Sequence, residues 1–500
     1  MTSSRECDEY RRERAIVMLV VALLVVARSA VFVFWEQSYF DSDQAVIGLM
    51  AKHLRELRAF PVFMYGQNYK LAVEAWLAAP VFLAAGVSVA ALKLPLLAIN
   101  LAIAFLLLWI LERDAQLRPW LAGVAAIFFV LPAPGTAASF LEAGGGSLEP
   151  LLYVLLLWVA RRRPAWFGII FGIGYFHREF TLYGVLSLAL MGAAGGTLLT
   201  RHGARFALIA LQWFVIVWVI VEFAQGRASA AGPMTSAADV RALPAVLEVR
   251  NRLCIDPRTF PAALYGLVTV HWVDLFGLRA QPLLDYAIDS RVSQGVRGGW
   301  IVFAAAMLLA FVRLIWRVIF SRVDRGFREE HTACAYLTLT GLMSAGVFAV
   351  SRCGGVGPMR YDTLSIFAAV GIGAWYLGTE RSRVLRNTWI LLVAGWAGMS
   401  ALGHGRLWTE YLTHPPYGVK REIIRQLDAR GVRYGISDYW IAYYVTFLTN
   451  ERIVMRADDV TRILEYDREV LAHANEAMTV ARIRCGNGTE VIPGVYFCPP

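Results

Sequence analysis

The chain has 500 residues, of which 58% are hydrophobic and only 17% charged, against about a quarter charged in a soluble domain. The apolar excess gathers in runs of roughly twenty residues, the mark of a polytopic membrane protein. The formal net charge of +10 is therefore a topology signal and no argument for a nucleic-acid partner.

The N-terminus, MTSSRECDEYRRERAIVMLVVALLVV, is charged and then apolar. The apolar run is too long for a cleaved signal peptide and no small-residue cleavage site follows it. It predicts a retained span over about 15–35, with Arg11, Arg12 and Arg14 on the cytoplasmic side.

FDSDQAVIGLMAKHL follows at once. Asp41 and Asp43 precede a helical pattern in which Val46, Leu49, Met50, Leu54 and Leu57 share one face. The pattern predicts an amphipathic helix along the membrane interface, with Asp43 as a possible cap and both carboxylates held beside the headgroups. Tyr65, Gln67, Asn68, Tyr69 and Lys70 come next. LAVEAWLAAPVFLAAGVSVAALK reads as a second helix near the interface.

Further spans are predicted over about 92–111, 119–138, 148–160, 165–177, 180–199, 206–223, 299–320, 332–350, 363–378 and 388–403, about eleven in all with the first. Arg113 and Arg118, Arg161 to Arg163, Arg201 and Arg205, Arg313 through Arg328, and Arg381 through Arg386 all fall on the side of the N-terminus. FLEAGGGS, on the other side, has no Lys or Arg. The asymmetry places the N-terminus in the cytoplasm and the C-terminus outside, in a plasma membrane that is bacterial by expectation. The external parts are then about 36–91, the loop before Glu149, a long polar loop over 224–298, and the tail. The expected fold is an all-α multi-spanning domain over 1–403 and a small α/β extracytoplasmic domain over 404–500.

In the tail, helical and strand patterns alternate. YGVKREIIRQLDARG reads as a helix, VRYGIS as a strand, DYWIAYYVTFLT as a helix, ERIVMRA as a strand and VTRILEYDREVLAHAN as a helix. MTVARI and VIPGVYF read as closing strands. Cys485 and Cys498 lie outside in this topology and close together, which predicts a disulfide; Cys254 and Cys353 are a second candidate pair.

The candidate chemistry sits at one membrane face. A fixed carboxylate, Asp43 or Asp41, suits deprotonation of an acceptor hydroxyl. Lys70, His177, Arg178, Arg352 and Arg360 are the cations available to a leaving phosphate, and Arg grips phosphate with two parallel donors. YFHREF, with His177, Arg178 and Glu179, interrupts an apolar stretch, and charge at that depth points to function; a self-neutralising Arg178–Glu179 pair is the structural alternative. GGGS before Glu149 reads as a helix break. Tyr439, Trp440, Tyr443 and Tyr444 fit core packing better than sugar stacking. No nucleotide-binding loop or nucleophile elbow occurs, so a donor already in the bilayer is the natural one.

These residues resemble the GT-C superfamily of membrane glycosyltransferases, and within it the protein O-mannosyltransferases and lipid A aminoarabinose transferases. FDSDQAVIGLMAKHL resembles the acidic motif of their first external loop, with Asp43 at the motif aspartate, Gln44 where many members have Glu, and Asp41 completing a DxD-like spacing. YKLAVEAW resembles their Lys-Pro stretch through Lys70 and Trp76, with Leu71 in place of Pro. LEPLLYVLLLW resembles the acidic-Pro pair that opens a span, at Glu149. RYDTLSIF resembles the Arg-Tyr of a late span, at Arg360 and Tyr361.

The resemblance implies inverting transfer from a polyprenyl-phosphate sugar to a lipid, glycan or protein acceptor. Asp43 or Asp41 is then the base. Lys70, Arg178 and Arg360 hold the lipid phosphate, Glu149 orients the acceptor, and Tyr69, His177, Glu179 and Tyr361 line the site. No metal ligands are carried over and no cofactor is assigned, though a divalent metal stays open. The rival readings are a transporter or flippase for lipid-linked glycans and a non-catalytic envelope assembly factor. A carrier calls for polar residues deep in several spans and internal symmetry, and neither occurs.

Overall fold

The computed structural model describes residues 4–35, 40–67, 70–231, 256–276, 299–320, 329–351, 362–413 and 418–498. Every predicted span overlaps a helix. Among the described residues, five helices are long and apolar enough to cross a membrane: Cys7–Phe34, Val89–Arg113, Arg201–Arg227, Gly299–Trp316 and His331–Val350. Shorter apolar helices pack among them, including Pro119–Val130, Glu149–Ala160 and Thr363–Thr379. The core is rich in aromatic rings; Trp158, Trp389 and Trp396 are buried, and Phe128 meets Trp396 at 5.0 Å between ring centres.

Several elements depart from the sequence expectation, each for a local reason. The 119–138 segment breaks after Val130, where Pro132 and Pro134 interrupt the helix and Pro134–Ser139 restarts it. The second loop helix ends at Gly86, whose φ is +81°. The Ser88 hydroxyl then accepts from the Ala91 N–H at 3.1 Å and starts a helix at Val89, earlier than expected. The long loop expected over 224–298 carries helix to Ala231 and again from Phe260 to Leu275. Helix Arg383–Thr413 runs on through the boundary expected at 403/404.

The tail holds a five-stranded sheet in the order β2-β1-β3-β5-β4. The strands are β1 Tyr434–Ser437, β2 Val454–Ala457, β3 Met478–Ala481, β4 Thr489–Ile492 and β5 Val495–Cys498. β1 runs parallel to β2 and β3, β5 antiparallel to β3, and β4 antiparallel to β5. VIPGVYF is thus not one strand: Gly494, at φ +76°, turns the chain between β4 and β5. A disulfide joins Cys485 and Cys498, with Cα atoms 6.2 Å apart. Cys254 and Cys353 lie outside the described residues.

The helix expected at the interface is Ser42–Arg55, and it does not lie on a surface. Nearly every residue from Gln44 to Leu54 is buried, because helix Val73–Ala85 packs on one side and tail helix Tyr439–Leu448 on another. Gly48 permits the second contact: a Cβ there would run into the Phe447 ring. Asp41, not Asp43, caps the helix, accepting from the Gln44 N–H at 3.0 Å.

Candidate active site

The first loop, the glycine loop before Glu149, and the turn after Phe176 meet around one peptide, that of Gly144. Lys70 Nζ donates to the Gly144 carbonyl at 2.5 Å and Arg178 donates to the same oxygen at 2.6 Å. The Gly144 N–H donates to Glu74 Oε2. The Asp43 carbonyl oxygen lies 3.5 Å from where a Gly144 Cβ would sit, and Lys70 Nζ 3.2 Å. The GGGS stretch is therefore more than a helix break. Gly144 and Gly146 have φ of +77° and +75°, and a side chain on Gly146 would occupy the Arg178 guanidinium.

Lys70 is buried. Burial, and then the neighbouring Arg178 guanidinium, lower its ammonium to about 8 against the pull of Glu74, Glu149 and Asp43. Asp41 moves the other way: burial and then the Asp43 carboxylate raise its carboxyl, only partly offset by the Gln44 N–H and by Lys420 and Lys93. Two cations converge on one neutral oxygen here, a geometry a phosphate would satisfy better.

Glu149 and His177 are buried at the ends of helices Glu149–Ala160 and Pro164–His177. Glu179 opens the short turn after Arg178. Arg178 turns to Gly144, so the self-neutralising pair is not its described contact. Tyr69, Arg352, Arg360 and Tyr361 lie outside the described residues.

The tail enters the same site. The Tyr439 hydroxyl donates to Asp43 Oδ1. Arg462 donates to the Gly66 carbonyl at 2.9 Å and stands 5.5 Å from the Tyr439 ring centre. Lys420 donates to the Phe40 carbonyl beside Asp41. Below them, Glu451 ties the tail to the first-loop helix: it pairs with Lys52, meets His53 Nε2 at 3.2 Å, and accepts from Tyr466 at 2.6 Å and Arg58 at 2.9 Å.

The sequence reading missed Glu74, Gly144 and Tyr153, and set Tyr439 aside as core. Glu74 did carry a signal, as a lone carboxylate within LAVEAWLAAP. Tyr439 carried none, since its role depends on where the tail docks.

No model of a known protein family matches the sequence, and no curated protein matches it. Solved structures do. ArnT from Cupriavidus metallidurans bound to undecaprenyl phosphate aligns over 93% of this chain and 92% of its own, with a TM-score of 0.58 at 12% identity. The same ArnT in the apo state aligns with a TM-score of 0.56, again at 12% identity and over 93% and 92% of the two chains. The archaeal oligosaccharyltransferase AglB from Archaeoglobus fulgidus, in complex with an inhibitory peptide and a dolichol-phosphate, aligns over 94% of this chain and 69% of its own, with a TM-score of 0.50 at 11% identity. The chain is an integral membrane protein that shares its fold with ArnT and AglB, both of them GT-C superfamily members.

Proposed function

We propose that this chain transfers a sugar, with inversion, from a polyprenyl-phosphate-linked donor to an acceptor at the extracytoplasmic face of the membrane. The observation that carries the reading is the convergence of Lys70 and Arg178 on the Gly144 carbonyl, with the Asp43 carboxylate near enough to act on the Lys70 charge. A base and a pair of cations at one buried point are what displacement of a lipid phosphate requires. The fold supports it, shared with a transferase bound to undecaprenyl phosphate and another bound to a dolichol-phosphate.

In this mechanism the Asp43 carboxylate takes the proton of the acceptor nucleophile. The acceptor attacks the anomeric carbon, the bond from that carbon to the phosphate oxygen breaks, and the electron pair leaves with the lipid phosphate. Lys70 and Arg178 exchange the Gly144 carbonyl for phosphate oxygens and stabilise the departing charge, with Arg360 as a third contact. Asp41 holds the helix that presents Asp43. The acceptor is a lipid, a glycan or a protein. The Arg asymmetry supports a cytoplasmic N-terminus and a tail outside.

The test is transfer from a radiolabelled polyprenyl-phosphate sugar in purified membranes. Asp43→Asn keeps the size of the side chain but cannot take a proton. The expected loss is about 10²–10⁴-fold, roughly 3–5.5 kcal/mol of barrier, in protein that still inserts and folds. Full activity in both Asp41→Asn and Asp43→Asn overturns the mechanism.

A further inference from the structure

Glu74, Glu149 and His177 are each buried, and the transfer mechanism above uses none of them. Each offers one ligand atom, and these atoms lie within 4.8 Å of one another. Glu74 Oε1 and His177 Nε2 are 3.8 Å apart. Glu74 Oε1, both Glu149 oxygens and His177 Nε2 are all closed to solvent and have no hydrogen-bond partner among the described residues. Unpaired carboxylate oxygens and an unpaired ring nitrogen, facing one another out of water, are costly.

The remaining atoms of the set are already fixed. Glu74 Oε2 accepts from the Gly144 N–H, which leaves Oε1 to face inward. His177 Nδ1 meets the Tyr153 hydroxyl at 3.0 Å, which leaves Nε2 to do the same. A ligating histidine is commonly held in this way by a partner on its other nitrogen. Among the described residues, Lys70 and Arg178 give their hydrogen bonds to the Gly144 carbonyl and not to these carboxylates.

We infer that Glu74, Glu149 and His177 form a binding site for a divalent transition-metal cation. A proton shared by the two carboxylates would satisfy one oxygen of each and leave His177 Nε2 only the 3.8 Å approach to Glu74 Oε1, beyond hydrogen-bond reach; one cation satisfies all three residues together. Two carboxylates and one imidazole match Zn²⁺, Mn²⁺ or Fe²⁺ better than Ca²⁺ or Mg²⁺, which take oxygen ligands. Ligand atoms about 2.0–2.2 Å from such an ion stand closer together than these do, so binding draws the three side chains inward. The inference does not rest on the transfer reading, because its readout is binding.

The test uses the full chain in detergent, stripped with a chelator and titrated with Mn²⁺ or Co²⁺. Bound metal is measured by elemental analysis after dialysis, and Tm is followed in parallel. The expected result is one saturable equivalent and a Tm that rises with metal concentration. His177→Gln and Glu149→Gln abolish that equivalent. Tyr153→Phe removes only the partner of His177 Nδ1; it weakens binding about 10–100-fold and leaves the metal-free Tm close to wild type. That variant keeps the question answerable if either ligand variant fails to fold. Absence of saturable binding by the wild-type chain overturns the inference. So does binding that is unchanged in both Tyr153→Phe and His177→Gln. Neither outcome bears on sugar transfer, which the Asp43→Asn assay reads separately.

Discussion

The Tyr439 hydroxyl donates a hydrogen bond to Oδ1 of Asp43, across 396 positions of sequence. The tail is thereby part of the site that the first loop begins. Tyr439→Phe removes one donor to a carboxylate, and hydrogen bonds to charged groups contribute roughly 1.5–3 kcal/mol. The expected outcome is a lower Tm and a transfer rate reduced less than by Asp43→Asn. A rate loss equal to that of Asp43→Asn, with Tm unchanged, would instead make the phenol part of the chemistry.

Lys70 gives the site a pH dependence. Burial, then the Arg178 guanidinium, lower its ammonium to about 8, so its charge is lost as pH rises through that value. Donor binding through Lys70 is then strongest below about pH 8 and weakens above it. Folding responds with the opposite sign. Between about 8 and the unperturbed lysine value of about 10.4, the unfolded chain holds a proton that the folded chain does not, so this group favours folding more as pH rises. KM for the donor, measured across this range, should climb in the wild type. In Lys70→Met it should start high and lose that climb.

Glu451 fastens the tail to helix Ser42–Arg55. Burial alone would raise its carboxyl; hydrogen bonds from His53, then Lys52 and Tyr466, outweigh that and hold it below the usual carboxylate range. Its contribution to stability is therefore full above the unfolded value of about 4.3 and is lost as pH falls below that towards the folded value. Glu451→Ala leaves buried His53 and Lys52 without this partner. Breaking such a pair costs roughly 3–5 kcal/mol, at the lower end here because Lys52 keeps Glu56 at 2.9 Å. The expected signs are a lower Tm and protease release of the tail at neutral pH, with the Ser42–Arg55 helix newly accessible.

The Cys485–Cys498 disulfide closes a short loop between β3 and β5 and in the chain-entropy model stabilises the tail by about 3 kcal/mol. Thiol labelling of unfolded, unreduced protein, read by peptide mass, should leave Cys485 and Cys498 unmodified while labelling Cys7 and Cys334. Reduction should add both labels and lower the Tm of the tail.

Much of this was legible in the chain. The span positions followed from apolar run length, and the tail's alternation of strand and helix from period and turn residues; both are local properties that survive without knowing any partner. His177 and Arg178 stood out because charge at membrane depth is costly enough to need a reason, and Asp43, Lys70 and Glu149 because they gather at one membrane face. The misplaced first-loop helix has a tertiary cause. Ser42–Arg55 has an apolar stripe and a basic last turn, which reads as an interfacial helix until Phe447 and Glu451 arrive from the tail to cover it.

What the sequence determined by itself is thus the membrane class, the order of helices and strands, and the residue types available for chemistry, since hydropathy and periodicity are counted along the chain. The tertiary structure alone decided that Asp41 rather than Asp43 caps the helix, that Gly144 gathers Lys70 and Arg178, that Glu74 joins Glu149 and His177, and that Tyr439 reaches Asp43. Three of these four are contacts between residues far apart in sequence. Such contacts are fixed by how buried surfaces pack and which polar atoms are left to satisfy, and no local pattern encodes that.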